Sequence, residues 1–142
     1  MNDYDFSRLN DKEFEVLCTD LIGAADGVRF ERFKPGQDAG VDGRYFSPGG
    51  GEWILQATHW ANTSFPQLLS HLRGSEAKKV AALKPEQYIL ALSHPLSRST
   101  KDQLIKALRA PCPVTVYGKE NLNDLLALQP TIDRGVAGGV WW

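Results

Sequence analysis

Two carboxylates, Asp38 and Asp42, fall in and just after a glycine-rich stretch, Gly36-Gln37-Asp38-Ala39-Gly40-Val41-Asp42-Gly43. The apolar segment 52–59 that follows carries Gln56 and Thr58. Residues two apart on a strand point to the same face, so a strand there sets Gln56 beside Thr58. A hairpin with a preceding strand over 41–46 would bring Asp42 next to them. Carboxylate and carbonyl oxygens in such a cluster suit a hard divalent cation such as magnesium, which keeps several of its waters. A plainer reading stands beside this one. Asp38 alone is better explained as a turn residue bonding its own backbone, and Asp42, among glycines, fits either role until the Gln56 pattern is added.

The elements that must position these groups are legible. Asn10 is a good helix N-cap, Glu13 occupies the capping-box position, and Leu9 with Phe14 makes a hydrophobic staple. Apolar residues recur at Phe14, Leu17, Cys18 and Leu21, and the stretch from Gly23 to Gly27 is expected to end the helix. Capping accounts for Glu13, which leaves Glu15 as the freer functional candidate. Strands are predicted over 28–33, 41–46 and 52–59, with turns at 34–40 and 47–51. A helical pattern then runs from about residue 64 to Leu83, with Pro66 in its first turn and Gly74 weakening its middle. A strand over 88–92, a helix around 101–108, a strand over 113–117 and a helix over 122–128 follow. A meander of strands followed by strand–helix alternation predicts an α/β fold, a mixed sheet with helices on both faces.

Composition sets limits on function. The 142 residues are 42% hydrophobic and 23% charged, with a formal net charge of -1. One domain of ordinary globular make-up is expected. The overall field does not attract phosphate, so any nucleic-acid contact needs a local positive patch. Arg73, Lys78 and Lys79 offer one such strip, although a solvated helix face explains them better. Cys18 and Cys112 match no metal or redox spacing. The polar start, Met1-Asn2-Asp3-Tyr4-Asp5, lacks the pattern of a secretory leader, and no apolar run approaches membrane-spanning length. A cytoplasmic protein without a membrane partner is the expectation. Residues 1–130 are expected to form the domain, and residues 131–142, which lack periodicity, a tail or linker to a further domain.

Asp38-Ala39-Gly40-Val41-Asp42-Gly43-Arg44, followed by Ile54-Leu55-Gln56-Ala57-Thr58-His59-Trp60, resembles the catalytic segment of Mrr-type restriction endonucleases of the PD-(D/E)xK nuclease superfamily. That family reads glycine-aspartate-glycine-glycine-isoleucine-aspartate, then a strand with glutamine-x-lysine. Phe14-Glu15 matches its helix-borne glutamate. The segments Tyr88-Ile89-Leu90-Ala91-Leu92-Ser93 and Tyr117-Gly118-Lys119-Glu120-Asn121-Leu122 are similar to the N-terminal effector domains of bacterial antiphage STAND NTPases. The resemblance implies a restriction endonuclease-like fold and magnesium-dependent hydrolysis of double-stranded DNA, with manganese as a substitute metal. Asp42 and Gln56 would hold the cation and Glu15 would assist. It further implies C-terminal NTPase and sensor domains in the same protein, and a homo-oligomer when active.

Thr58 breaks the pattern, because it stands where the family has its catalytic lysine. A hydroxyl donates one hydrogen bond and carries no charge. Losing one preorganised donor costs about 2.7–4 kcal/mol, roughly 100- to 1,000-fold in rate. An inactive or impaired chain is therefore expected. Three accounts fit: a deliberate inactivating replacement, natural degeneration, or another residue supplying the charge. Lys34 is a candidate for the last, whereas His59 would point to the opposite face. The rival functions are a nucleic-acid-binding module that does not cut and an oligomerisation module.

Overall fold

The computed structural model describes residue 6 and residues 9–32, 43–58 and 64–129. Helix α1 (Asp11–Asp26) opens on the expected capping box: Asn10 Oδ1 accepts from the Glu13 N–H at 2.8 Å, and Glu13 Oε1 accepts from the Asn10 N–H at 2.9 Å. Such caps are each worth about 1 kcal/mol. The helix ends inside the predicted stretch from Gly23 to Gly27, at its far end rather than at Gly23. It continues to Asp26 and closes on Gly27 in the left-handed conformation (φ 70°), whose N–H bonds to Gly23 O. Gly23 serves packing instead, since a Cβ there would lie 2.8 Å from the Val28 carbonyl oxygen.

Five strands follow in chain order: β1 (Glu31–Arg32), β2 (Gly43–Phe46), β3 (Glu52–Thr58), β4 (Gln87–Leu92) and β5 (Val114–Tyr117). Their order in the sheet is the same, antiparallel from β1 to β3 and parallel from β3 to β5. The first strand begins three residues later than predicted, and two of its residues are paired among those described. β4 is buried from Tyr88 to Leu92, as its unbroken apolar run requires for a strand covered on both faces.

Helix α2 (Phe65–His71) begins at Ser64, which shares a capping box with Gln67, and Pro66 sits in its first turn. It passes through a π-helical turn (Leu72–Glu76) into α3 (Ala77–Leu83). The predicted weak point at Gly74 is thus a widened turn within a continuous helical run. Helix α4 (Arg98–Leu108) starts three residues earlier than predicted, capped by Ser97, whose Oγ accepts from the Thr100 N–H at 3.1 Å. Helix α5 (Lys119–Ala127) also starts three residues early, with Asn121 Oδ1 accepting from the Gly118 N–H at 2.9 Å.

The strand order advances in one direction through β3, β4 and β5. A single handedness of crossover then puts both connecting helical segments on one face. Accordingly α2, the π turn, α3 and α4 cover one side, with Leu68, Leu72, Val80, Leu104 and Leu108 packed on Ile54, Leu90 and Leu92. The other side is left to α1 and α5, whose Phe14, Leu17, Leu21 and Leu122 pack on Leu55, Ile89 and Ala91.

Candidate active site

β3 is the middle strand, hydrogen-bonded on both sides. Its residues alternate as the two-residue period predicts: Ile54 enters the α2–α4 core, while Leu55 and Ala57 pack toward α1 and α5. Gln56 and Thr58 therefore share the Ile54 face. In the ladders Gln56 pairs with Leu90 and Thr58 with Leu92 of β4. On the other side Gly43 pairs with Leu55. Gly43 is buried because β2 lies so close here: a Cβ would meet the Phe30 Cβ at 3.2 Å and the Leu55 Cβ at 3.4 Å.

The Gln56 side-chain carbonyl oxygen, Oε1, is buried and has no hydrogen-bond partner among the described residues. An orphaned buried acceptor costs about 1–3 kcal/mol, and native structures retain few of them. A carbonyl oxygen stripped of partners is also what a hard cation accepts. Thr58 is half-buried at the end of the strand.

Glu15 stands apart from this pair. It lies on α1, which covers the opposite face of the sheet. Its carboxylate is largely sheltered, at 17% exposure, and accepts from Lys12 Nζ at 3.1 Å. The sheet thus brings Gln56 and Thr58 together and sets Glu15 in the other layer. Asp38, Asp42, Lys34, His59 and Trp60 lie outside the described residues. Among the described residues no group of three or more histidine, cysteine, aspartate or glutamate side chains could hold a metal.

Arg44 shares the Ile54 face, since it pairs with Ile54 across the β2–β3 ladder. It is not aimed at Thr58. Its Nε donates to the Glu52 carboxylate, and its guanidinium carbon lies 5.0 Å from the centre of the Phe46 ring. Both contacts draw it toward the start of β3, six residues before Thr58 along the strand.

A second polar cluster, not singled out by sequence reasoning, lies on this side. Glu76, in the π turn, is 3% exposed. Its Oε2 accepts from the Tyr88 hydroxyl at 2.7 Å, and its Oε1 accepts from Lys79 Nζ at 2.7 Å, with His71 Nε2 at 3.7 Å. The Glu76–Lys79 spacing of three was a readable hint; the Tyr88 contact, across the sheet, was not. Arg73 and Lys78 are exposed, as a solvated face requires, whereas Lys79 is committed to Glu76. Elsewhere, burial and the nearby Asp26 carboxylate push the Tyr117 phenol above its ordinary range. Burial likewise raises the Asp26 carboxyl and the Cys112 thiol.

The described residues form a mixed five-stranded sheet with helices on both faces, an α/β architecture. Residues 6–126 match the Mrr catalytic-domain family, the restriction endonucleases, and the chain belongs to that family. Its fold is the restriction endonuclease-like α/β fold, DNA is the substrate class that such a domain implies, and domains of this kind typically work with divalent metals. The chain is also 39% identical over 137 residues to the uncharacterized protein y4cD of Sinorhizobium fredii (strain NBRC 101917 / NGR234). That stretch is 95% of this chain and 21% of y4cD, so the chain spans about a fifth of the length of the curated relative it matches. Among the described residues no helix is long and apolar enough to cross a membrane.

Proposed function

We propose that this chain is the DNA-cleaving domain of a larger protein, built for metal-dependent phosphodiester hydrolysis and disabled or slowed by Thr58. The observation that carries the reading is the buried, unpartnered Gln56 Oε1 on the central strand of a restriction endonuclease family domain. The donor set fits a hard cation: Gln56 and Asp42 would hold magnesium, or manganese in its place, and Glu15 would assist. The β2–β3 ladder runs in register to Gly43 opposite Leu55, and Asp42 directly precedes the one as Gln56 directly follows the other. Held by Gln56 and Asp42, such a cation would supply positive charge and would make water a better nucleophile near neutral pH.

The chain's own groups do the rest. Gln56 offers a neutral oxygen on a strand that the β4 ladder holds in place at Leu90. Thr58 offers one hydroxyl donor to a phosphate oxygen where the family places an ammonium, so the developing charge is met by less positive potential. Glu15, from the other layer, would have to reach the site past the end of the sheet, and its part is the smaller one. The wider setting is proposed on the resemblance and on the small share of y4cD that the chain covers. In it, residues 1–130 form the nuclease domain, residues 131–142 lead into STAND-type NTPase and sensor domains, and antiphage DNA cleavage follows assembly into a cytoplasmic homo-oligomer.

The test is cleavage of plasmid and linear duplex DNA with magnesium or manganese, by this chain, by Thr58→Lys and by Thr58→Lys combined with Asp42→Ala. Nicking or cutting that lysine creates and the Asp42 change removes is the expected result. If no variant cuts, even when dimerised artificially, the catalytic reading fails and the fold serves binding or assembly.

A further inference from the structure

The two helical layers carry opposite charge. Helices α2, α3 and α4, with the π turn, hold Arg73, Lys78, Lys79, Arg98, Lys101 and Lys106 against two acids, Glu76 and Asp102. Glu76 is buried against Lys79, so Asp102 is the acid that faces solvent. Helices α1 and α5 hold seven acids against Lys12 and Lys119. Two further cations, Lys84 and Arg109, cap the C-terminal ends of α3 and α4 and are exposed. Among the described residues these are the two non-glycines with positive φ, each at 49°. Glycine is the residue that such a backbone favours, although a cation there gains from the helix dipole. Glu86, in the turn after α3, accepts from Trp53 Nε1 at 2.9 Å, and Trp53 packs on the opposite side of the sheet. A solvated face accounts for any one of these side chains, but not for the sorting of charge between the layers. In a protein of net charge -1, the cations gather on the side of the sheet that Gln56 and Thr58 share.

We propose that the outer surface of α2, α3 and α4 is the face on which duplex DNA docks, with the acidic layer of α1 and α5 turned away from it. The choice of DNA as the partner rests on the nuclease reading. Phosphates need positive potential nearby, and a molecule with one basic and one acidic face is oriented by the field before contact. Arg98 and Lys106 both lie on α4, roughly 12 Å apart along its axis, while a duplex presents one charge about every 1.7 Å. Several phosphates fall within reach of that one helix, and Lys78 on α3, which packs against α4, widens the track. Such contacts hold the duplex without reading its sequence. They also bring it to the side on which the candidate site opens at the end of β3. The acidic layer of a second copy has matching charge, but seated here it would cover the side on which Gln56 and Thr58 lie.

Binding in EDTA separates docking from cleavage. Fluorescence anisotropy with a labelled blunt duplex should show affinity falling roughly 100-fold between about 50 and about 200 mM salt, the slope expected of about four phosphate contacts. Lys84→Gly and Arg109→Gly remove a charge where glycine suits the backbone, so each should weaken binding with the melting temperature kept. Lys106→Ala should lower the salt slope by about 1, and Lys78→Glu with Lys106→Glu should weaken binding roughly tenfold or more. Lys12→Ala, on the acidic layer, should leave the slope unchanged. Binding that ignores salt, or that Lys12→Ala weakens as much as Lys106→Ala does, overturns the proposal. So does salt-sensitive self-association in sedimentation without DNA binding, which would seat a second copy on this face. Cleavage by Thr58→Lys that survives the two charge reversals sinks the docking face and spares the nuclease reading. Docking as described, with no variant that cuts, leaves the face standing and costs the catalytic reading alone.

Discussion

Two polar side chains on the same side of the sheet meet burial in opposite ways. Glu76 is surrounded: the Tyr88 hydroxyl and Lys79 bond to its two oxygens, and His71 stands at the rim. Gln56, on β3, buries a carbonyl oxygen that has no hydrogen-bond partner among the described residues. A satisfied carboxylate under a helical run is part of the scaffold, tying the π turn to β4. An unsatisfied amide at the sheet's centre weakens the scaffold, and a fold keeps such a group where a ligand completes it. On the proposed reading, Glu76 is the structural polar group of the two and Gln56 the ligand-binding one.

The largest test of that contrast is chemical. Installing the missing ammonium by Thr58→Lys should raise DNA cleavage by roughly 100- to 1,000-fold or more, read as plasmid nicking, and Asp42→Ala should abolish the gain. Next comes the scaffold. Glu76→Ala strips Tyr88 and Lys79 of their shared acceptor and should lower unfolding free energy by about 3 kcal/mol in urea titrations, with the DNA-binding behaviour of the folded protein intact. Gln56→Met should do the reverse. Removing the orphan should raise stability by about 1 kcal/mol and should leave the variant without the rise in melting temperature that manganese is expected to give the parent chain. A destabilised Gln56→Met protein would show that the amide is structural after all and would collapse the comparison.

The smallest effect concerns Tyr117, which lies outside both clusters. Its phenol is held above its ordinary range of about 10 by burial and by Asp26. A raised folded value means that its neutral form stabilises the native state. That contribution is complete below the unfolded value and is lost as pH rises through the folded one. Asp26→Asn should bring the ionisation of Tyr117 downward, measured as tyrosinate absorbance against a Tyr117→Phe reference. No downward movement would remove the Asp26 carboxylate as a cause.

Local rules carried much of this protein. The capping boxes at Asn10 and Ser64, the apolar stripe of α1, the unbroken run of β4 and the shared face of Gln56 and Thr58 all follow from near-neighbour spacing, and the fold class follows from their order. Two helix starts were displaced, and one helix end fell at the far side of its predicted stretch. Gly23 proved to be a contact point for the returning chain, and α4 and α5 begin on Ser97 and Gly118, whose roles become visible only once the preceding strand fixes where the chain turns. Helix position also fell outside local reach. Glu15 shares a motif with Gln56 in sequence, yet its helix covers the other face, because the crossover helices of β3, β4 and β5 occupy the first. Burial and partnership belong to the same class. Whether an amide oxygen is satisfied or bare depends on groups brought from 12 or more residues away, as Tyr88 is to Glu76. The sequence by itself determined which side chains alternate and where helices can start; only tertiary packing decided which of the buried polar groups found a partner and which was left open.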